Sequence, residues 1–395
     1  MKILILVTYP IRVPMHGGQI RVNRLADAYE KAGFEVKVAG VLGGDHYEAE
    51  PGFLNFPNRE ALGRMCVSSF LMEDYAIGQL VLNDKAVFKN LFDQLDFQPD
   101  FIHVEQPWLF KAAVEFKKIN KLQCKIVYGS QNIEFELKRK ILGNYFSEEV
   151  SSEMAALIEG VEVFAAKNAD AVFAVSDHDA NWLRGCTNVP VLVAPNGVSE
   201  WNANGECAES NCNHKYAVFC ASAHPPNMEG FFHFFGGGFG SLQPDQRLIA
   251  IGSVGPALAG DLRVHQSAKL AEKLDIAGLV PQSQLENLLN NAHCIVLPIN
   301  QGGGTNLKTA EALWSRKYIV ASSLAMRGFE GFMESPGVFI ADTPKEFKQK
   351  LRHAISLPAL ELNNDEIDKR RSVLWSHTLR HVPGFVENLK SSNGK

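Results

Sequence analysis

Short apolar runs rich in Val and Ile alternate with helical patterns along the whole chain. In the first half, KILILVT (2–8), EVKVAGV (35–41), DFIHVEQ (100–106), CKIVYGS (124–130), DAVFAVS (170–176) and VPVLVAP (189–195) read as strands. Between them, residues 18–32, 108–121 and 148–168 carry apolar positions at helical spacing. The second half repeats the style with YAVFCAS (216–222), RLIAIGS (247–253), HCIVLPI (293–299), KYIVASS (317–323) and GVFIA (337–341). Strands that are apolar throughout, and alternate with helices, predict parallel sheets covered on both faces. The stretch SEWNANGECAESNCNH (199–214) is polar and aperiodic, so the break between the halves falls near 196–214. The expected fold is α/β: two Rossmann-like, doubly wound domains facing across a cleft, with ligands at the carboxyl ends of their strands.

Size and composition agree. At 395 residues the chain is too long for one ordinary core, and 46% hydrophobic with 21% charged residues is a globular balance. A net charge of -5 argues against a general nucleic-acid binder. The opening KILILV is too short for a signal-peptide core, and no run approaches the ~20 apolar residues of a membrane span. A cytoplasmic protein is expected. Of seven cysteines only Cys207 and Cys212 are close, with no second pair to complete a zinc site, so free thiols are the better reading.

The densest candidate chemistry follows the strand 293–299. Gly302, Gly303 and Gly304 precede Thr305, Asn306 and a helix starting near Leu307. Glycines let backbone N–H groups approach an anion, and a helix N-terminus favours phosphate. Thr305 or Asn306 is placed to cap the helix. Lys308 adds a positive charge in the first turn, and Glu311, three residues on, shares its face. A carboxylate there suits both hydroxyls of a ribose. A turn with solvated Lys308 and Glu311 is the plain alternative.

GGGTNLKTAEALWSRKYIVAS is similar to the donor-site segment of retaining GT-B glycosyltransferases of the GT4-like (group 1) type. The resemblance implies that Glu311 binds the nucleotide ribose, while Gly302, Gly303, Gly304, Thr305 and Lys308 hold the diphosphate, with Asn306 beside them. Relatives often carry a glutamate where this chain has Gly303, and an Arg where it has Asn306. The likeness extends over nearly the whole chain. HGGQIR resembles the family's opening loop, putting Gly17 and Gly18 against the diphosphate and acceptor. Arg21 then either faces the cleft or lies on the surface, and His16 adjoins the loop. FIHVEQPWL places His103 and Glu105 at a strand end, where the family has a residue near the reacting sugar. Glu105 is favoured over His103, whose alternative is a satisfied, partly buried histidine. YGSQNIEFEL implies acceptor or sugar contacts for Asn132 and Glu134, although Asn132 also reads as a helix cap. PNGV (195–198) and HPPN (224–227) match as well, bringing Asn227 toward the phosphates. Asp177-His178-Asp179 looks like a metal motif but is better explained by capping from Ser176.

The family likeness implies a hexosyltransferase of cell-surface polysaccharide biosynthesis. It would use a UDP-, GDP- or dTDP-sugar without metal and with retention. The acceptor would be a glycan, a lipid-linked sugar or a small molecule. Domains of 1–196 and 197–364 are expected, with helices in 365–395 packing back on the first. Lysines 111, 117, 118, 121 and 125, with Lys138-Arg139-Lys140, suggest either peripheral contact with the inner face of a membrane or simply solvated helix faces. A sugar-nucleotide epimerase and a non-catalytic nucleotide-sugar binder remain as alternatives. A nicotinamide oxidoreductase is disfavoured, because PIRVPMHGGQ, not G-x-G-x-x-G, follows the first strand.

Overall fold

The computed structural model describes residues 1–14, 16–43, 47–48, 50–55, 59–68, 70–96, 98–203, 215–240, 242–301 and 305–391. The chain forms two compact units, Met1–Pro195 with Leu379–Lys395, and Asn196–Thr378.

The first unit is built on β1 (Lys2–Val7), β2 (Glu35–Leu42), β3 (Phe53–Asn55), β4 (Phe101–Glu105), β5 (Lys125–Gly129), β6 (Ala171–Ala174) and β7 (Val191–Val193). They lie in the order β3-β2-β1-β4-β5-β6-β7, and every pairing is parallel. Ile3 stands opposite Val36 on one side and Phe101 on the other. Residues Ile3 to Leu6 of β1 are fully buried, because helices cover both faces of the sheet. Helices occupy Gly17–Lys31, Phe110–Ile119 and Glu148–Asn168, close to their predicted positions.

The second unit repeats the plan with β8 (Tyr216–Cys220), β9 (Arg247–Ile251), β10 (Leu274–Gly278), β11 (Cys294–Leu297), β12 (Tyr318–Ala321) and β13 (Val338–Ile340). Their order is β10-β9-β8-β11-β12-β13, again all parallel. Each sheet reverses its winding once, between β1 and β4 and between β8 and β11. Loops diverge at such a point and leave a recess beyond the strand ends, the usual ligand position in open α/β sheets.

The end of the chain serves both units. Within the second, Arg370 is fully buried and donates to the carbonyls of Leu313 (3.1 Å) and Pro336 (2.8 Å). Within the first, the helix Val382–Ser391 brings Lys390 to 2.8 Å from Asp100, and the Phe385 ring onto Phe173. Among the described residues no helix is long and apolar enough to cross a membrane.

Candidate functional site

At the first unit's switch point, the ends of β1, β4 and β5 and the first helix enclose a buried polar network. Parallel pairing sets His103 of β4 beside Val127 and Glu105 beside Gly129 of β5. Being two apart, His103 and Glu105 share a face, and both are sealed from solvent, with His103 Nε2 and Glu105 Oε1 3.1 Å apart. The Tyr29 hydroxyl lies 2.9 Å from His103 Nδ1. Gln131 Nε2 donates to Glu105 Oε2 and reaches the Tyr9 hydroxyl, both at 2.7 Å. Arg21 completes the network: its Nε is 3.6 Å from Glu105 Oε2, and its Nη1 donates to the Ala194 carbonyl at 2.8 Å. Burial pushes the Glu105 carboxyl upward, but Arg21, His103 and Gln131 together outweigh it and hold it below its usual range. Burial, with the Glu105 charge second, raises both Tyr9 and Tyr29 well above ordinary phenols. A side chain on Gly129 would have no room, since its Cβ would fall 2.3 Å from Glu105 Oε1 and 2.6 Å from His103 Nε2.

This placement changes several sequence expectations. Arg21, 1% exposed, neither faces an opening nor lies on the surface; it neutralises a buried carboxylate. Glu105, 2% exposed, has both oxygens engaged within the network, so it is held away from direct contact with a sugar. Above the network, His16 and Gly17 are exposed and Gly18 is half-buried, at the start of the helix Gly17–Lys31. Gly18 lies against the network, its Cβ direction pointing at Gln131 and Tyr9.

A second cluster adjoins it beyond β4 and β5. Glu134 is 2% exposed, and its Oε1 accepts from Asn132 Nδ2 (3.1 Å) and Gln106 Nε2 (3.3 Å). Burial raises its carboxyl above the usual range. Asn132 does not cap the helix Glu134–Leu142, whose N-cap position belongs to Ile133. Instead Glu162, from the helix Glu148–Asn168, accepts the N–H groups of Glu134 and Phe135 on its two oxygens, both at 2.8 Å. Burial, then the neighbouring Glu134 charge, pushes Glu162 up to about 8.

In the second unit, β8 and β11 run side by side, which sets the loop after β8 next to the helix Leu307–Trp314. Lys308 Nζ donates to Asn227 Oδ1, and Asn227 Nδ2 donates to the carbonyl (2.9 Å) and hydroxyl (3.2 Å) of Ser222. Both ends of the Asn227 amide are thus engaged, and the residue aims the ammonium. Its helix, Pro225–Phe235, comes close to the loop after β11 because Gly230 lacks a side chain: a Cβ there would lie 2.1 Å from the Pro298 carbonyl oxygen. Lys308 and Glu311 are partly buried neighbours. Burial lowers Lys308 to about 8, and burial raises Glu311 to about 7 against the pull of Lys308. Cys220, at the end of β8, is raised by burial and then by Glu311.

Neither Thr305 nor Asn306 caps this helix with its side chain. The Thr305 hydroxyl accepts the Asn196 N–H at 3.4 Å and its carbonyl accepts Asn196 Nδ2 at 3.1 Å, while Asn306 occupies the N-cap position without a capping bond. Asn196, the asparagine of PNGV, therefore secures the entry to the helix. Gly302, Gly303 and Gly304 lie outside the described residues, as do Cys207 and Cys212. Ser176 caps its helix through the Asp179 N–H at 3.1 Å, as the sequence suggested. In the basic run, Lys117 and Lys125 pair with Asp170, and Lys138 donates to the Leu71 carbonyl. Sequence reasoning passed over Tyr9, Gln106, Gln131, Glu162, Asn196 and Cys220. Gln131 lay inside the quoted YGSQNIEFEL, Gln106 inside FIHVEQPWL and Asn196 inside PNGV, without being singled out; Tyr9, Glu162 and Cys220 carried no local pattern.

Comparison with known proteins agrees with the fold of two parallel-sheet units. The profile of Glycosyltransferase Family 4 matches residues 15–200, and that of Glycosyl transferases group 1 matches residues 215–356. No curated protein matches by sequence. Among solved structures, sucrose-phosphate synthase from Thermosynechococcus elongatus is similar with a TM-score of 0.71 at 14% identity, covering 99% of each chain. The lipopolysaccharide outer core galactosyltransferase WaaB gives a TM-score of 0.60 at 12% identity over 100% of each chain. HepE of Anabaena in complex with UDP and glucose gives 0.58 at 12% identity, covering 100% of this chain and 98% of that one.

Proposed function

The chain belongs to the family 4, group 1 glycosyltransferases of GT-B fold, and from that premise we propose that it transfers a hexose from a nucleotide-diphosphate sugar, with retention, to a sugar-bearing acceptor. The observation that carries this reading is the Lys308–Glu311 pair at the switch point of the second unit, with Asn227 holding the ammonium. Lys308 faces the diphosphate, joined by the positive end of the helix Leu307–Trp314. Glu311 accepts hydrogen bonds from the ribose diol. As the glycosidic bond to the leaving phosphate breaks, negative charge grows on the diphosphate while the sugar becomes oxocarbenium-like. A fixed ammonium and a helix end stabilise that charge without reorganising.

The first unit supplies the acceptor side. His16, Gly17 and Gly18 border the acceptor, and Asn132 and Glu134 contact the acceptor or the sugar. Glu105 and His103 act beneath them as positioning groups. Together with Arg21 and Gln131 they fix the start of the helix Gly17–Lys31 against β4, so that the glycine turn keeps its shape.

Thermal-shift measurements with UDP, GDP and dTDP test the donor half, since a ligand bound only by the native state raises apparent stability. One of the three should stabilise the protein, and Glu311→Ala should abolish the shift. Stabilisation by none, or a full shift in Glu311→Ala, would refute the donor assignment. Incubation with nucleotide sugars then separates the alternatives: a changed sugar without transfer identifies an epimerase, and binding without turnover a non-catalytic binder.

A further inference from the structure

The carboxylates at the ends of β1, β4 and β5 are not balanced by available cations. Beyond Glu105, which Arg21 neutralises, there are Asp74 and Glu134. The Thr8 hydroxyl donates to Asp74 at 2.6 Å, placing that carboxylate at the end of β1. The Asp74 charge is felt at Tyr9, at Tyr47 and at Glu134. Lys138 is the cation that acts on Glu134, and its ammonium is already committed to the Leu71 carbonyl at 2.7 Å. Arg21 is committed to Glu105 and Ala194.

Within this electronegative corner, Glu134 is rigid and half-used. Its backbone is clamped by Glu162, and its Oε1 takes hydrogen bonds from Asn132 and Gln106. Its Oε2 has no hydrogen-bond partner among the described residues, although the side chain is 98% enclosed, being 2% exposed. A carboxylate oxygen without a donor gains from a group that donates to it. Gln106 adds a second vacancy of the same kind. Its Oε1 is buried and unpartnered. The amide cannot rotate to cure this, because its oxygen would then face the Glu134 carboxylate. Gln106 also has a left-handed backbone, φ 62, directly before a proline, a conformation that persists only where the surroundings enforce it.

Both vacancies are acceptors, and both sit in negative potential. We propose that Gln106, Asn132 and Glu134 form the recognition point for the acceptor. It takes an acceptor sugar through hydrogen-bond donors, hydroxyl or amino groups, and excludes one bearing phosphate or carboxylate at that position. The proposal rests on the transferase reading above and narrows the chemistry of its acceptor. A hydroxyl or ammonium completes Glu134 Oε2 and Gln106 Oε1; a phosphate brings acceptor oxygens to both and like charge to Glu134.

The test uses the full chain with glucose, glucosamine and glucose 6-phosphate as probes. Binding is followed by saturation-transfer NMR and transfer by nucleotide release from UDP-glucose. Glucose or glucosamine should bind at least tenfold more tightly than glucose 6-phosphate. Glu134→Gln should weaken the better probe at least fivefold and narrow the discrimination against the phosphate. Gln106→Ala, which leaves the Glu162 clamp intact, should weaken the same probe, and it carries the test if Glu134→Gln does not fold. Preference for glucose 6-phosphate, equal binding of all three, binding of none, or discrimination unchanged in both variants would overturn the proposal. Thermal shifts with UDP, GDP and dTDP on the same samples separate the two claims. Nucleotide binding without acceptor discrimination overturns only the acceptor assignment, whereas absence of nucleotide binding removes the transferase reading itself.

Discussion

Nucleotide-sugar affinity should pass through a maximum near pH 7.5, because the two groups proposed to hold the donor titrate on either side of it. Burial raises Glu311 to about 7 and lowers Lys308 to about 8 in the free protein. The donor needs Glu311 ionised, to accept from the ribose hydroxyls, and Lys308 protonated, to face the diphosphate. At pH 7.5 roughly three-quarters of each group is in its binding form, whereas at pH 6 only about one Glu311 in ten is. Affinity should therefore fall about sixfold from pH 7.5 to pH 6, and by about as much toward pH 9 as Lys308 discharges. Stability of the free protein runs the other way. The raised Glu311 contributes stability below its usual carboxylate range and loses it as pH rises through about 7. The lowered Lys308 contributes above its usual range and loses it as pH falls through about 8. Near neutrality the empty site thus holds both groups in their costly charged forms, and the ligand relieves that cost. Isothermal titration with the nucleotide sugar giving the largest thermal shift, from pH 6 to 9 at fixed ionic strength, measures the profile. The diphosphate diester of the ligand does not titrate in that window. Glu311→Gln should remove the acid limb and Lys308→Met the alkaline limb. A profile flat within twofold, or one rising steadily toward pH 6, would refute the reasoning.

Two further outcomes follow from the polar networks. Arg21→Met leaves Glu105 buried with its main counter-charge gone, so unfolding free energy should drop by about 3–5 kcal/mol in urea titrations. The deficit should shrink in acid, because the lowered Glu105 pKa stabilises the wild type only above the usual carboxylate range and that contribution is lost below it; a deficit constant down to pH 3 would contradict the pairing. Asn227→Leu frees the Lys308 ammonium from its guide, so nucleotide affinity should weaken about tenfold, as expected for a hydrogen bond to a charged group, with the melting temperature little changed; unaltered affinity would show that Lys308 needs no guide.

The strands could be read from the sequence because buried parallel strands are apolar throughout, and KILILV and HCIVLPI leave little else to assign. Two strands could not. β10 (LDIAG) lies at a sheet edge with Asp275 and Ile276 exposed, so its pattern is broken, and β3 has only three residues. In the candidate site, Lys308 and Glu311 were visible because a single helical turn relates them. The partners that give them meaning come from 81 residues away, through the neighbouring of β8 and β11, and no local spacing reports that. The same holds for Glu162, which caps a helix starting 28 residues earlier in the chain. Arg21 misled for a different reason. An arginine in the second turn of an amphipathic helix reads as facing the cleft or lying on the surface, and only the three-dimensional neighbour Glu105 makes its burial tolerable.

The first unit is made of two stretches of chain, Met1–Pro195 and Leu379–Lys395, and the whole second unit is inserted between them. During synthesis its seven-stranded sheet emerges early, yet Phe173 and Asp100 must wait for Phe385 and Lys390. At about 5–20 residues per second the ribosome needs on the order of 10–40 s to deliver them. Over that interval the Phe173 ring lacks its Phe385 partner, and the nascent first unit is more open to aggregation than the finished protein.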